Sequence, residues 1–233
     1  ALELLFVRPA VDRTPDALAT DMATALDEHR THPDYVGLRL DGDAIAKFDR
    51  DCHALIDKYF AMEDPTTVRE IGLELWMEAP VGDLTLRGII DRLELDSDGE
   101  LVVTDYKTGR APSGNFEQKS LAGVHFYSFL CEAVFGKRPA KIRLMYLASG
   151  ETIETVPSAQ SVKFITTRTT AVWAAVERAC TTGDFRPRQS KLCDWCSFQQ
   201  WCPAFGGDPS LAATEAVAAY DSLLAAPVAA GTP

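Results

Sequence analysis

Apolar positions along the chain change period, and each change predicts an element. Between Asp43 and Asp64, Ile45, Phe48, Cys52, Leu55, Ile56 and Tyr59 recur every three or four residues, which predicts an amphipathic helix. Asp16 to Arg30 predicts another, and the opening ALELLF reads as the middle of a helix. From Thr67 the period shortens to two. Strands are predicted over Thr67 to Met77, Leu84 to Leu95 and Leu101 to Lys107. A strongly apolar helix follows over Phe116 to Phe135, then strands over Lys141 to Leu147 and Thr152 to Val156. Ser161 to Thr181 returns to helix, with Phe164, Ile165, Val172, Trp173 and Val176 expected on its buried side. The order β-β-β-α-β with flanking helices predicts an α/β fold with a mixed central sheet. Four parts are expected: a helical part over 1–66, a core over 67–185, a cysteine-rich stretch over 186–207 and an Ala-rich tail over 208–233.

Two of the strands carry acids where aliphatics belong. In GIIDRLELDSDGELVVTDYKTG, Ile89, Asp91, Leu93 and Leu95 share a face of the first strand, and Leu101, Val103, Asp105 and Lys107 share a face of the second. Ser97-Asp98-Gly99 fits a three-residue hairpin loop in which Gly99 takes the left-handed position. That loop pairs Asp96 with Glu100 and, counting back, sets Asp91 opposite Asp105. Facing carboxylates repel and lose hydration, so a hard divalent cation with oxygen ligands is the natural complement. Lys107 is then free to stabilise negative charge on a substrate. The plain alternative is a pair of solvated ion pairs on an exposed face. Two facing carboxylates with a lysine on an apolar face argue against it.

The chain is acidic overall, with a net charge of −11 over 233 residues. Residues 1–100 hold 10 basic and 23 acidic side chains, whereas 101–200 hold 13 basic and 8 acidic. That balance argues against promiscuous nucleic-acid binding but permits a basic surface local to the second half. No apolar run approaches a membrane span and no signal peptide is visible, so a cytoplasmic protein without membrane contact is expected.

Six cysteines occur. Cys52, Cys131 and Cys180 fall in helical, mostly apolar stretches and read as small core residues or idle thiols. Cys193, Cys196 and Cys202 form C-x2-C-x5-C in LCDWCSFQQWCP, a spacing that points to metal or cluster ligation, zinc and iron–sulfur being equally open. Trp195, Phe198 and Trp201 are expected to shield such a centre from water.

Together, GIIDR, DYKTG, an apolar helix containing Tyr127 and the terminal C-x2-C-x5-C-P resemble the RecB-family nucleases of the PD-(D/E)XK superfamily. The branch concerned includes the AddB nuclease domain and the CRISPR adaptation nucleases with a four-cysteine iron–sulfur cluster. The resemblance covers Val68 to Phe205. It implies a PD-(D/E)XK restriction-endonuclease-like core, with Asp91 as the first metal-binding aspartate and Asp105 and Lys107 as the acid and lysine of the (D/E)XK element. It also implies the Tyr106 carbonyl as a further metal ligand, Tyr127 as a substrate-binding residue, and Cys193, Cys196 and Cys202 as ligands of a 4Fe-4S cluster. The family's metal-ligating His and its first cluster cysteine would lie upstream of Ala1. Gly123 stands where the family has glutamine, and Gln118 is too far upstream in the helix to replace it.

The expected function is therefore a Mg2+- or Mn2+-dependent deoxyribonuclease, an exonuclease acting on single-stranded DNA or duplex ends in repair or recombination, with a helicase partner. The rivals are a nuclease-like module that binds DNA or scaffolds a helicase without cutting, and a small zinc-binding interaction domain. His125 is expected at the surface. Glu70 and Glu74 read as edge-strand surface residues, Glu70 being the one given some chance of lying near the metal.

Overall fold

A computed structural model of the chain describes residues 1–112, 115–215, 217 and 218, without the side chains of 115–122 and 124. Gln118 and most of the Ala-rich tail therefore lie outside the described side chains. The elements are α1 (Leu2–Val7), α2 (Pro15–His29), α3 (Pro33–Gly37), α4 (Gly42–Met62), β1 (Arg69–Val81), β2 (Leu84–Leu95), β3 (Leu101–Lys107), α5 (Asn115–Phe135), β4 (Lys141–Tyr146), β5 (Glu151–Thr155) and α6 (Ala159–Thr182). Short 3-10 turns follow α6. Residues 1–26 with 46–173 form one compact unit, and residues 27–45 with 174–233 form a second.

The first unit is built on a five-stranded sheet in the order β1-β2-β3-β4-β5. Only β3 and β4 are parallel, and the helix α5 makes the crossover between them. The two hairpins are set by their turns. Gly82, at φ +57, opens a two-residue loop that pairs Val81 with Leu84. The Ser97–Gly99 loop closes with Asp96 N–H donating to the Glu100 carbonyl at 3.0 Å, and Gly99 sits at φ +75. Asp96 Oδ1 accepts from the amides of Asp98 and Glu100, which locks that turn. The resulting register, Leu95 with Leu101 through Arg92 with Thr104, is the one predicted from loop length.

Both faces of the sheet are covered. On one, Leu93, Leu101, Val103, Ile142 and Leu144 pack with Phe129 and Leu130 of α5 and Ile165 of α6. On the other, Leu73, Tyr106, Met145 and Leu147 pack with Leu5 and Phe6 of α1, Leu18 of α2, and Ile56 and Tyr59 of α4. Ile90 and Leu93 lie in the same cluster although they are three residues apart. A flat strand of period two cannot achieve that, so β2 rotates between them. Two expectations are corrected here. Ile89 is exposed and not in the core with Asp91; Ile90 takes that place. On α6 only Ile165 is buried, while Phe164, Val172, Trp173 and Val176 are exposed.

Gly88 explains how α5 comes so close to the ribbon. A Cβ there would sit 2.8 Å from Phe126 Cε1 and 2.9 Å from Leu130 Cδ1. The absence of a side chain in GIID thus lets α5 lie directly over β2. Cys131, on the same helix, is fully buried, and burial pushes its thiol up to about 12. Among the described residues no helix is long and apolar enough to cross a membrane.

Candidate active site

The ladder between β2 and β3 breaks off at Asp91. The last paired residues are Arg92 and Thr104, and the next position in that register would set Asp91 opposite Asp105. There the Tyr106 amide donates to Asp91 Oδ2 at 2.8 Å. The carboxylate thus takes an amide at the point where strand pairing ends.

Asp105 is only 2% exposed. Its Oδ1 accepts from the Tyr127 hydroxyl of α5 at 3.0 Å, and Lys107 Nζ lies 2.6 Å from its Oδ2. That second contact lacks hydrogen-bond geometry, so Oδ2 is a buried acceptor with a cation beside it and no hydrogen bond. The Asp105, Lys107 and Tyr127 side chains thus converge, with Asp91 held through the Tyr106 amide on the strand between Asp105 and Lys107.

Glu74 is exposed on the edge strand β1, as expected, yet it lies beside Asp91. Register from the Gly82 turn sets it across from Asp91, between the pairs Leu73 with Arg92 and Leu75 with Ile90. Its backbone is left-handed at φ +41, an unfavourable conformation for a glutamate in a strand. Its carboxyl is raised from the ordinary value by burial and by the charges of Asp91 and Glu3, against the opposing pull of the Ala1 ammonium. Asp91 is likewise raised, chiefly by burial and also by Asp105, while the Tyr106 amide and Lys107 pull it down. Burial raises the Tyr127 hydroxyl, and the charges of Asp105, Asp91 and Glu74 add to that effect. One phenol therefore senses all three acids. Counting from the V-G-D-L turn sets Glu74 opposite Asp91. Glu70, by contrast, is committed to the buried Arg13, which donates to both its oxygens.

Two carboxylates with hard oxygen donors, one having an oxygen without a hydrogen bond, suit a divalent cation of the Mg2+ type. The fit is partial: among the described residues no group of three His, Cys, Asp or Glu side chains is placed to hold a metal ion. Asp91, Asp105 and the Tyr106 carbonyl remain the donors that would receive one. His125 is half-buried rather than on the surface, and burial lowers its imidazole. Its Nδ1 is buried without a hydrogen bond. Gly123 is exposed, with room for a side chain around it.

The cysteine stretch does not fit the predicted centre. Cys193, Cys196 and Cys202 do not form a group placed to hold a metal. Cys193 Sγ instead accepts from the Ser190 amide at 3.3 Å in a reciprocal cap of the following 3-10 turn. Trp195 and Phe198 are exposed and shield nothing; only Trp201 is buried, its indole N–H donating to Glu215 at 2.6 Å.

Behind the site lies a second charged network that the sequence did not announce. Arg92 is fully buried on the opposite face. It donates to Glu63 at 2.6 and 2.7 Å and to the Tyr106 hydroxyl, and its Nε lies 2.5 Å from Glu94. Its guanidinium stacks on the Phe6 ring at 4.8 Å. Tyr106 thus joins the two faces, its amide on Asp91 and its hydroxyl on Arg92.

The mixed sheet, the α5 crossover and Asp91 set beside the D-Y-K of β3 define an α/β protein of nuclease type. Residues 1–203 match the PD-(D/E)XK nuclease superfamily, and the chain belongs to it. It is 28% identical over 136 residues to the Gene 69 protein of Mycobacterium phage L5, covering 57% of this chain and 44% of that protein. The chain thus spans less than half the length of that relative. It is also similar to SSO0001, known from a crystal structure, with 15% identity and a TM-score of 0.43 over 80% of this chain and 84% of that one.

Proposed function

We propose that this chain is a metal-dependent nuclease that hydrolyses phosphodiester bonds in DNA, of RecB-like type and acting from strand ends. The observation that carries the reading is the buried Asp105: one oxygen accepts from Tyr127, and the other lies beside Lys107 without a hydrogen bond. A buried carboxylate held by one phenol and one half-exposed ammonium keeps its charge, and can take a divalent cation once that ammonium turns to a substrate.

Each residue has a distinct task. Asp91 and Asp105, with the Tyr106 carbonyl, would hold Mg2+ or Mn2+, whose Lewis acidity would act on the scissile phosphate and the attacking water. The Tyr106 amide fixes the Asp91 carboxylate, so that its oxygens are oriented before the substrate arrives. Lys107, 46% exposed, can leave Asp105 for a phosphate oxygen and stabilise the charge growing there. Tyr127 holds Asp105 and borders the path of the strand. Glu74 adds a third carboxylate charge to the site.

A second reading, a module that binds DNA or supports a helicase without cutting, is favoured by Gly123 at the glutamine position and by the incomplete metal cage. Cleavage of end-labelled single- and double-stranded DNA with Mg2+ or Mn2+, set against the Asp105→Ala variant, separates the two. Cutting lost in the variant supports the nuclease; metal and DNA binding without cutting supports the module. A repair or recombination role and a helicase partner belong to the same proposal. Iron–sulfur ligation by Cys193, Cys196 and Cys202 does not, given how the structure places those thiols.

A further inference from the structure

Each of the two site aspartates has one oxygen claimed by a donor. Asp91 Oδ2 accepts from the Tyr106 amide at 2.8 Å, and Asp105 Oδ1 accepts from the Tyr127 hydroxyl at 3.0 Å. Asp91 Oδ1 and Asp105 Oδ2 are the oxygens left to a cation, the second once Lys107 turns to a substrate. The Tyr106 carbonyl adds another. In an extended strand the N–H and C=O of one residue leave by the same edge, and the pairing of β3 with β2 stops at Thr104. The site thus presents single oxygens from separate groups, not a two-oxygen grip from either acid.

That difference separates two common hard cations. Ca2+ takes about six to eight oxygens in a flexible shell and is well served by a carboxylate gripping with both oxygens. Mg2+ demands a near-ideal octahedron, keeps several waters and needs only one or two carboxylates. A donor already on a carboxylate oxygen points its hydrogen, and so positive charge, at that oxygen. A cation that grips the acid with both oxygens must displace the donor. The Tyr106 amide is fixed in β3. The Tyr127 hydroxyl is held on Oδ1 by a ring packed against the core cluster, and substitution can remove it without touching the backbone.

We propose that the Tyr127 hydroxyl, together with the Tyr106 amide, limits each acid to one oxygen toward a metal ion and so disfavours Ca2+ relative to Mg2+. Tyr127 is a positioning residue that determines metal choice through Asp105. This rests on the metal-dependent nuclease reading for its purpose, while its test reads ion binding without DNA.

The test titrates Mn2+ into metal-stripped protein, follows the free ion by electron paramagnetic resonance, and then displaces it with Mg2+ or with Ca2+. Parent, Tyr127→Phe and Asp105→Ala are compared, and Mg2+-dependent cutting of labelled DNA is assayed in parallel. Displacement gives a Kd for each ion, and the ratio of the two cancels any change that weakens both alike. In Tyr127→Phe the Kd of Mg2+ divided by that of Ca2+ should rise about five- to fiftyfold, the scale of one charge-assisted hydrogen bond given up. A smaller rise, or a fall, overturns the selector. Asp105→Ala should lose the Mn2+; a variant that keeps it puts the ion elsewhere and overturns the proposal too. A parent that holds no Mn2+ does the same, whether or not it cuts. Cutting with an unmoved ratio keeps the nuclease and loses the selector, and a moved ratio without cutting does the reverse. The phenyl ring of Tyr127→Phe fills the same space, and near-ultraviolet circular dichroism checks that the core is unchanged.

Discussion

The amide of Tyr106 donates to Oδ2 of Asp91 where strand pairing between β2 and β3 ceases. A side chain takes a hydrogen bond that lies at the end of the ladder, so the site is fastened to the sheet by backbone rather than by a flexible partner. Asp91→Ala removes that acceptor, while Asp91→Asn keeps it. Asp91→Asn should therefore fold like the parent and still lose about a thousandfold or more in cleavage, as should Asp105→Ala. Thermal melts run beside the cleavage assay check both halves.

Lys107→Ala should lose about a hundredfold in kcat, the scale seen when one stabiliser of developing charge is removed. Because its ammonium is half exposed, the melting temperature should hardly move. A large drop in stability would make Lys107 a structural partner of Asp105 instead.

The raised carboxyls set a pH dependence. Asp91 and Glu74 hold their protons to higher pH when folded than at their ordinary values of 3.8 and 4.5. In the window above those values the folded state binds more protons, so metal-free stability falls as pH rises through it. A divalent cation needs the ionised acids, so the rise in melting temperature given by Mn2+ should grow over that same window. Scanning calorimetry with and without Mn2+ reads both slopes. A Mn2+ effect independent of pH would remove these acids from the metal site.

Glu74 is strained as well as charged. Glu74→Gly relieves the left-handed backbone and the repulsion with Asp91, and should leave the metal-free protein equal or up to about 1 kcal/mol more stable. Glu74→Gln keeps the strain and tests the charge alone. Activity reduced in both variants places the carboxylate in the chemistry; full activity in both confines Glu74 to the ribbon's shape.

Gly88→Ala should destabilise by about 1–3 kcal/mol, because Phe126 and Leu130 already occupy the space a methyl would need. Removing Arg92 should be worse. Arg92→Met leaves Glu63 and Glu94 buried with less positive charge beside them, at about 3–5 kcal/mol. Urea denaturation measures both.

Much of this was legible in the sequence because hairpin loops count. The Ser97–Gly99 loop alone determines which residue faces Asp91, and the periods of Asp43 to Asp64 and Leu101 to Lys107 locate α4 and β3 closely. What escaped depends on three dimensions. A strand's period of two assumes a flat ribbon, so the rotation between Ile90 and Leu93 exchanged Ile89 for Ile90 in the core. Arg92 lies on the face away from Asp91, as strand alternation requires, but nothing local reveals that Glu63, 29 residues earlier in the chain, returns to meet it. On α6, Phe164 and Val172 follow a helical apolar stripe, yet such a stripe states only that a face is apolar. In the cysteine stretch, spacing brings thiols near in sequence, while the Ser190 cap turns Cys193 to another use.

Tyr106 stands between Asp105 and Lys107, with its ring among Arg92, Tyr59 and Phe6 on the far side of the sheet. The two kinds of damage that substitution can do in β3 are therefore interleaved at single-residue spacing. A saturation library across Thr104 to Lys107, sorted once for abundance and once for cutting, should alternate. Positions 105 and 107 should yield well-expressed, silent protein, and positions 104 and 106 should yield little protein at all. Within four consecutive codons, genetics would read out the two sides of one sheet.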